Sequence, residues 1–369
     1  MRHVRFTRVS VLMLNVLNVN RLKGIELKAA LTIFAAVVLS VFAGCKGPAR
    51  EKGPIGEEKE PLSKKKALLT VDFQEGQALE YKFVSSRVTT IYWDPTKSAS
   101  KSDRSTVSEY PESMEMVISY QPIEVDPYGL TTINATCKSV KVTRSKGPGG
   151  RADRKDAAES LAGKTFTFTV GPTGKIEDNS QLEQLIQEIG KEAFRQDKRQ
   201  GRVKEPDMID DFIAAQWFLW DSVSSIGEPA EGVSVGRTWK SKLSVPTPMV
   251  LREARDVTYR LDEIRQSEKG QLAVIRSSFK HAGSAPPGWP IAYSGKFQLS
   301  GPLGFIRMLS RELNVLDLQG QGEELFNIDT GRIEQHNQKY QMQLEASIPL
   351  PGAKPRLTIN QSLTMQLLE

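Results

Sequence analysis

The chain has 369 residues, with 50 Lys and Arg against 44 Asp and Glu, and two Cys. The positive excess sits at the N-terminus: residues 1–44 carry six basic residues and one acidic, residues 46–66 carry seven and four, and residues 67–369 carry 37 and 39. A body this close to neutral excludes a nucleic-acid binder built on a basic surface, and two cysteines exclude a disulfide framework.

Taken in order, the first informative stretch is residues 29–43, fifteen residues without a charge. That is short for a spanning helix, which needs about 20 apolar residues, and fits the core of an export signal. Arg21, Lys23 and Lys28 precede it against one acid, Glu26, a positive flank that holds the N-terminus in the cytoplasm. Met13 offers an alternative start closer to the core. The core closes on Phe42-Ala43-Gly44-Cys45. This resembles the lipobox of bacterial lipoproteins, with Phe42 where Leu is usual. The resemblance implies cleavage after Gly44, a diacylglycerol on the Cys45 thiol and acylation of the new N-terminus. The competing reading is an uncleaved signal anchor. Several acyl chains anchor firmly where one is marginal, each buried methylene adding about 0.8 kcal/mol. Lys46, where an Asp resembles an inner-membrane retention signal, points to the outer membrane. The implied address is the extracytoplasmic side of the bacterial envelope.

Residues 46–66 are rich in Gly, Pro and charge and nearly free of apolar side chains, so they cannot bury enough surface to fold. With Cys45 they form a tether, 45–66. The body is expected at 67–369. Alternation of apolar and polar residues predicts strands at 79–92, 114–122, 130–144 and 164–170. Polar stretches separate them, and Asp126-Pro127-Tyr128-Gly129 and Gly171-Pro172-Thr173-Gly174 form turns. Cys137 falls on the third strand, where a buried, inert thiol is expected.

The period then changes. Leu182, Leu185, Ile186, Ile189 and Ala193 share one helical face, and Ser180 with Glu183 predicts a capping-box start. Pro206 suits the first turn of a second helix that carries Ile209, Phe212, Ile213, Trp217 and Trp220. After Gly236 strand periodicity returns, at 237–245, 256–268, 271–281, 291–299, 313–318, 323–328, 332–348 and 356–368.

Two turns repeat one pattern. Phe168 to Glu177 and Phe326 to Glu334 both read aromatic, β-branched, Thr-Gly, basic, Ile, Glu. The echo predicts two β-meander halves, 67–178 and 236–369, joined by a helical segment, 179–230. The expected fold is α+β: a large, curved antiparallel sheet, half-barrel or sandwich-like, whose apolar face the two helices cover. In architecture this resembles envelope carriers that hold lipid between a curved sheet and helices. Together with the lipobox it resembles a family of uncharacterised bacterial β-rich lipoproteins.

Motifs for catalysis are missing. Two distant His, His281 and His336, make no HExxH zinc site, and no CxxC occurs, so no metal or cofactor is expected. His336 reads as a solvent-facing strand residue, and His281, before a Gly-Ser-Pro loop, reads as exposed. Asp329-Thr330-Gly331 occurs once, whereas aspartic-protease chemistry needs two carboxylates; a hairpin turn explains it. Ser63, Ser98 and Ser277 each precede a Lys by three positions without the companion motifs of penicillin-binding enzymes. Gly320-x-Gly322 lacks the third Gly of a nucleotide loop. Trp217 and Trp220 read as core, with a pocket wall as the alternative; Trp289, in a Pro-rich loop, reads as a partner contact or a ring pinning its own loop. The reading that follows is a non-enzymatic envelope lipoprotein binding an apolar ligand or a protein partner. The alternatives are a scaffold without a pocket and a hydrolase whose carboxylates lie scattered over strands.

Overall fold

The structure is a computed structural model. It describes residues 65–93, 107–145, 156–196, 207–242, 255–282, 306, 309–310, 312–349 and 354–368, all within one compact unit, Leu62–Glu369. After a two-residue strand, β1 (Lys66–Ala67), come β2 (Leu79–Tyr92), β3 (Val107–Val125), β4 (Thr131–Arg144), β5 (Thr165–Val170) and β6 (Ile176–Asp178). Three helices follow, α1 (Ser180–Gln196), α2 (Asp207–Phe218) and α3 (Asp221–Ser224). The chain then forms β7 (Val233–Ser234), β8 (Thr238–Lys240), β9 (Arg255–Ser267), β10 (Gly270–His281), β11 (Glu312–Asn327), β12 (Arg332–Ser347) and β13 (Arg356–Leu368).

Eleven strands make one antiparallel, curved, open sheet in the order β6-β5-β4-β3-β2-β13-β12-β11-β10-β9-β8. Neighbours in the sheet are neighbours in the chain, as short hairpin connections dictate. The exception is the central seam, where β2 pairs along its length with β13. Of the two arrangements open to the sequence, this is the single-sheet half-barrel. The helical segment leaves from one edge, β6, and returns at the other, β8. Both edge strands have only three residues, which limits the row of unpaired backbone groups a sheet edge presents.

The face covered by the helices follows from alternation. On β2 the buried positions include Tyr81, Phe83, Ser85, Arg87 and Thr89, and on β3 Met114, Met116, Ile118 and Tyr120. Against this face lies α2, buried at every position from Asp211 to Phe218, as expected of a helix apolar on all sides. Its two polar side chains in that stretch reach the sheet: Asp211 accepts from Ser85 at 2.8 Å, and Gln216 accepts from the Tyr120 hydroxyl at 2.6 Å. On α1 the predicted stripe Leu182, Leu185, Ile186 and Ile189 is buried. Its cap lies one residue earlier than the Ser180 box: the Asn179 carbonyl accepts from the Glu183 amide at 3.0 Å, and the Asn179 amide donates to the Glu183 carboxylate at 3.3 Å.

The echoed turns occupy equivalent places, β5–β6 in the first meander and β11–β12 in the second. Both glycines have left-handed backbone, φ +85° at Gly174 and +63° at Gly331. Both pack on the same extended segment: a Cβ at Gly174 would meet Val71 at 3.0 Å, and one at Gly331 would meet the Asp72 nitrogen at 2.5 Å. Two expectations differ. The separate strands at 313–318 and 323–328 are one strand, β11, because Gly320 and Gly322 sit inside it. The strand expected at 237–245 is described only as the three-residue β8. The strand expected at 291–299 lies outside the described residues.

Candidate functional site

Two apolar clusters occupy the buried face of the sheet. The larger fills the space between sheet and helices; the smaller gathers Ile91, Leu318, Met342, Leu344, Leu357 and Ile359 near the other end of the strands, with Ile306 over it. Between them runs a belt of polar side chains. Register pairs Arg144 with Glu112, Glu112 with Arg87, Arg87 with Gln361, Gln361 with Tyr340, Tyr340 with Gly320 and Gly320 with Phe279. This single row crosses seven strands. A cavity of about 1240 Å³ touches the same seven positions from the opposite face of the sheet, where its walls are their outward-facing neighbours, among them Ser86, Val88, Lys280, Gln319, Lys339 and Gln341.

One end of the row is charged. Glu112 accepts from Arg87 Nε at 2.8 Å and from Arg144 Nη1 at 3.0 Å. Arg144 Nε donates to Asp156 at 2.9 Å, and Asp156 in turn caps the short turn Ala157–Leu161. Asp211 of α2 stands 3.6 Å from Arg87 Nη1 and accepts from Gln361 at 3.1 Å. Carboxylates and guanidiniums therefore neutralise one another where water is excluded, the condition for buried charge to be tolerated.

The other end is aromatic. Phe279 and Tyr340 meet edge to face with centroids 5.8 Å apart. Phe279 lies flat across Gly320, where a Cβ would overlap the ring and approach the Lys339 carbonyl to 2.7 Å. The glycine pair that resembled a fragment of a nucleotide loop is thus a seat for a ring. Beneath Phe279 is Arg255, fully buried, its guanidinium 4.7 Å from the Phe279 centroid and 4.5 Å from that of Phe218. Arg255 Nη1 donates to Gln338 Oε1 at 3.0 Å.

From Gln338 a chain of hydrogen bonds runs inward. The Gln338 amide nitrogen meets His336 Nε2, His336 Nδ1 faces Glu324 at 2.9 Å, and the Ser222 hydroxyl donates to Glu324. An amide oxygen turned to Arg255 leaves its NH₂ to donate to Nε2, which fits the tautomer with hydrogen on Nδ1. His336 is not the solvent-facing residue expected; it is buried and stacked on Phe218. The turn misleads here: Ile333 and His336 are both buried although their parity differs, with a register shift beside them at Leu325/Phe326. Serine, histidine and carboxylate lie together, but the hydroxyl faces the carboxylate and not the imidazole, so a nucleophile–base contact is not formed.

A second buried carboxylate, Asp221, accepts from Tyr259 at 2.6 Å, Ser225 at 3.0 Å and Ser241 at 2.9 Å. Burial first, and the Asp221 charge second, hold the Tyr259 hydroxyl well above its usual range. Burial likewise pushes the Cys137 thiol up to about 12, so it is the inert core residue expected. Trp217 and Trp220 are core as well, Trp220 packing on Phe73, Tyr120 and Phe168. Asp329-Thr330-Gly331 is a hairpin turn whose Asp329 and Thr330 amides donate to Asn327. Ser277 faces inward and Lys280 outward, so they share no site. His281 is exposed at the end of β10. Gly44, Cys45, Ser63, Ser98 and Trp289 lie outside the described residues. Among the described residues no group of three His, Cys, Asp or Glu is placed to hold a metal ion, and no helix is long and apolar enough to cross a membrane.

No protein-family model and no curated protein matches this chain. Among solved structures it is similar to one described as "Lipid-protein interactions in lipovitellin", with 10% identity and a TM-score of 0.43. The match covers 81% of this chain and 26% of that one, so the chain spans about a quarter of its neighbour.

Proposed function

We propose that the chain is a bacterial envelope lipoprotein, held on the extracytoplasmic face of a membrane through Cys45, whose body binds a ligand with a long apolar part in its concave cavity. The observation that carries this reading is the cavity itself. At about 1240 Å³ it exceeds the roughly 300–1,000 Å³ of ordinary small-molecule pockets. Its wall is mixed, built from the aliphatic stems and polar ends of outward-facing Lys280, Gln319, Lys339 and Gln341 together with Val88 and Pro111, which suits a molecule with one polar end. The test is extraction of the full chain, purified from its native membrane, with organic solvent followed by mass spectrometry. A lipid recovered at near one per chain, and lost in Gln341→Trp, which fills the cavity from its wall, supports the reading. A chain that yields no ligand and binds no fluorescent lipid refutes it.

A further inference from the structure

Successive strand residues point to opposite faces of a sheet, so two outward-facing rows flank the buried belt and form the cavity wall. One row carries Asp256, Lys280 and Gln319 in register, the other Lys240, Ser278, Gln321 and Lys339. Charge is spread unevenly over them. The outward lysines of the wall, Lys240, Lys280 and Lys339, all lie between β8 and β12. On β13, β2, β3 and β4 the outward wall is uncharged, with Val88 and Pro111 at its centre. Basic residues on the same face outside the cavity are paired: Lys82 with Glu115, Arg276 with Asp262 and Glu323, Arg356 with Glu345. The three wall lysines have neither an ion pair nor a side-chain hydrogen bond among the described residues. Asp256, the outward carboxylate of the wall, faces Lys280 in register without pairing with it. Two positive charges are therefore left unmatched at one end of the cavity.

The lysines stand on alternate strands, each offset from the next by two residues, so about 12 Å separates neighbouring Cα atoms. The cavity touches all strands from β4 to β8, so the sheet curls around it and the side chains on this face converge. Flexible four-carbon stems let the ammoniums close on one group. We infer that Lys240, Lys280 and Lys339 hold a phosphate head group, while the apolar part of the ligand lies along the uncharged end by Val88 and Pro111. A phosphate monoester carries nearly two negative charges at neutral pH, the number the wall leaves unmatched; a carboxylate would satisfy one. Gln319 and Gln321, on the strand between Lys280 and Lys339, offer amide donors to the remaining oxygens. This inference rests on the cavity reading above and adds the class of head group.

The test uses the full chain in a neutral maltoside detergent at pH 8, with three fluorescent probes of equal length: an alkyl phosphate, a fatty acid and its methyl ester. Wild type should hold the phosphate at least about tenfold more tightly than the ester, the combined worth of two or three exposed charge pairs, with the fatty acid between them. The preference should shrink as salt is raised from about 0.05 to 0.5 M, because exposed charges are screened. The triple variant Lys240→Gln, Lys280→Gln, Lys339→Gln should bind phosphate and ester alike. Lys82→Gln, on the same face outside the cavity, should keep the preference. These side chains face solvent, so the variants change binding and not folding. Equal affinity of wild type for phosphate and ester overturns the assignment and leaves the cavity reading standing, as does a preference that survives in the triple variant. A fatty acid held as tightly as the phosphate overturns it too, because one charge would then suffice. Should no probe bind wild type, the cavity reading falls and the assignment with it.

Discussion

Asp211 is the residue through which the buried helix α2 is joined to the sheet, and replacing it with Ala tests whether the polar belt holds the fold together. In one step the change removes the acceptor of Ser85 at 2.8 Å, that of Gln361 at 3.1 Å and a carboxylate 3.6 Å from Arg87. All four residues are buried. Removing one member of a buried ion pair costs about 3–5 kcal/mol, mostly because the remaining charge stays out of water. For a body of this size each kcal/mol lowers the melting temperature by about 2 °C, so the expected drop is roughly 6–10 °C in a far-ultraviolet circular dichroism melt. Glu115→Ala is the control. That carboxylate pairs with Lys82 at 3.0 Å, but the side chains are half-exposed at 38% and 52%, and such pairs contribute about 0–1 kcal/mol. A double-mutant cycle with Arg87→Met isolates the coupling. The reasoning is refuted if Asp211→Ala melts where Glu115→Ala melts, because the belt would then hold the helix no better than a surface pair.

Alkaline pH should unfold the protein early. The raised thiol of Cys137 and the raised hydroxyls of Tyr81, Tyr120 and Tyr259 all bind their protons more tightly folded than unfolded, chiefly through burial. Their contribution is complete below the unfolded values, 9.0 for the thiol and 10.0 for tyrosine, and is lost as pH rises above them. Tyrosine ionisation followed by absorbance should therefore coincide with loss of structure; ionisation of every tyrosine near its ordinary value without unfolding would contradict this. Gly331→Ala should cost more than Gly76→Ala in chemical denaturation. Both have left-handed backbone, which costs a Cβ-bearing residue about 1–2 kcal/mol, but a Cβ at Gly76 meets nothing within 4 Å while one at Gly331 meets Asp72 backbone at 2.5 Å. Equal costs would dismiss the close approach. For the anchor, Cys45→Ser should release the protein from membranes or block its maturation, and a variant that stays membrane-bound at unchanged mass would favour the uncleaved anchor.

The strands and helices were legible because each carries its own period: the alternation of 79–92 and 356–368 and the stripe Leu182-Leu185-Ile186-Ile189 need no distant partner to be read. The site was not legible for the same reason inverted. Arg87 and Glu112 are 25 residues apart, Arg255 and Gln338 83, Ser85 and Gln361 276. A charge on a strand reads as solvated until the strand across from it is known. His336 was misread because the parity change at the β12 turn is invisible locally. Gly320 and Gly322 did carry a signal, two missing side chains inside an alternating stretch, but it was read as a strand break.

The central seam has a consequence for how the chain is made. β2 is among the first strands to emerge, yet its second neighbour, β13, is the last element of the described chain. Until residues 356–368 arrive, fourteen residues of β2 offer an open ladder to any passing strand, the template from which intermolecular pairing starts. Contacts this remote in sequence also form slowly. A nascent chain stalled or clipped before residue 356 would hold both flanks of the sheet without the keystone strand that joins them.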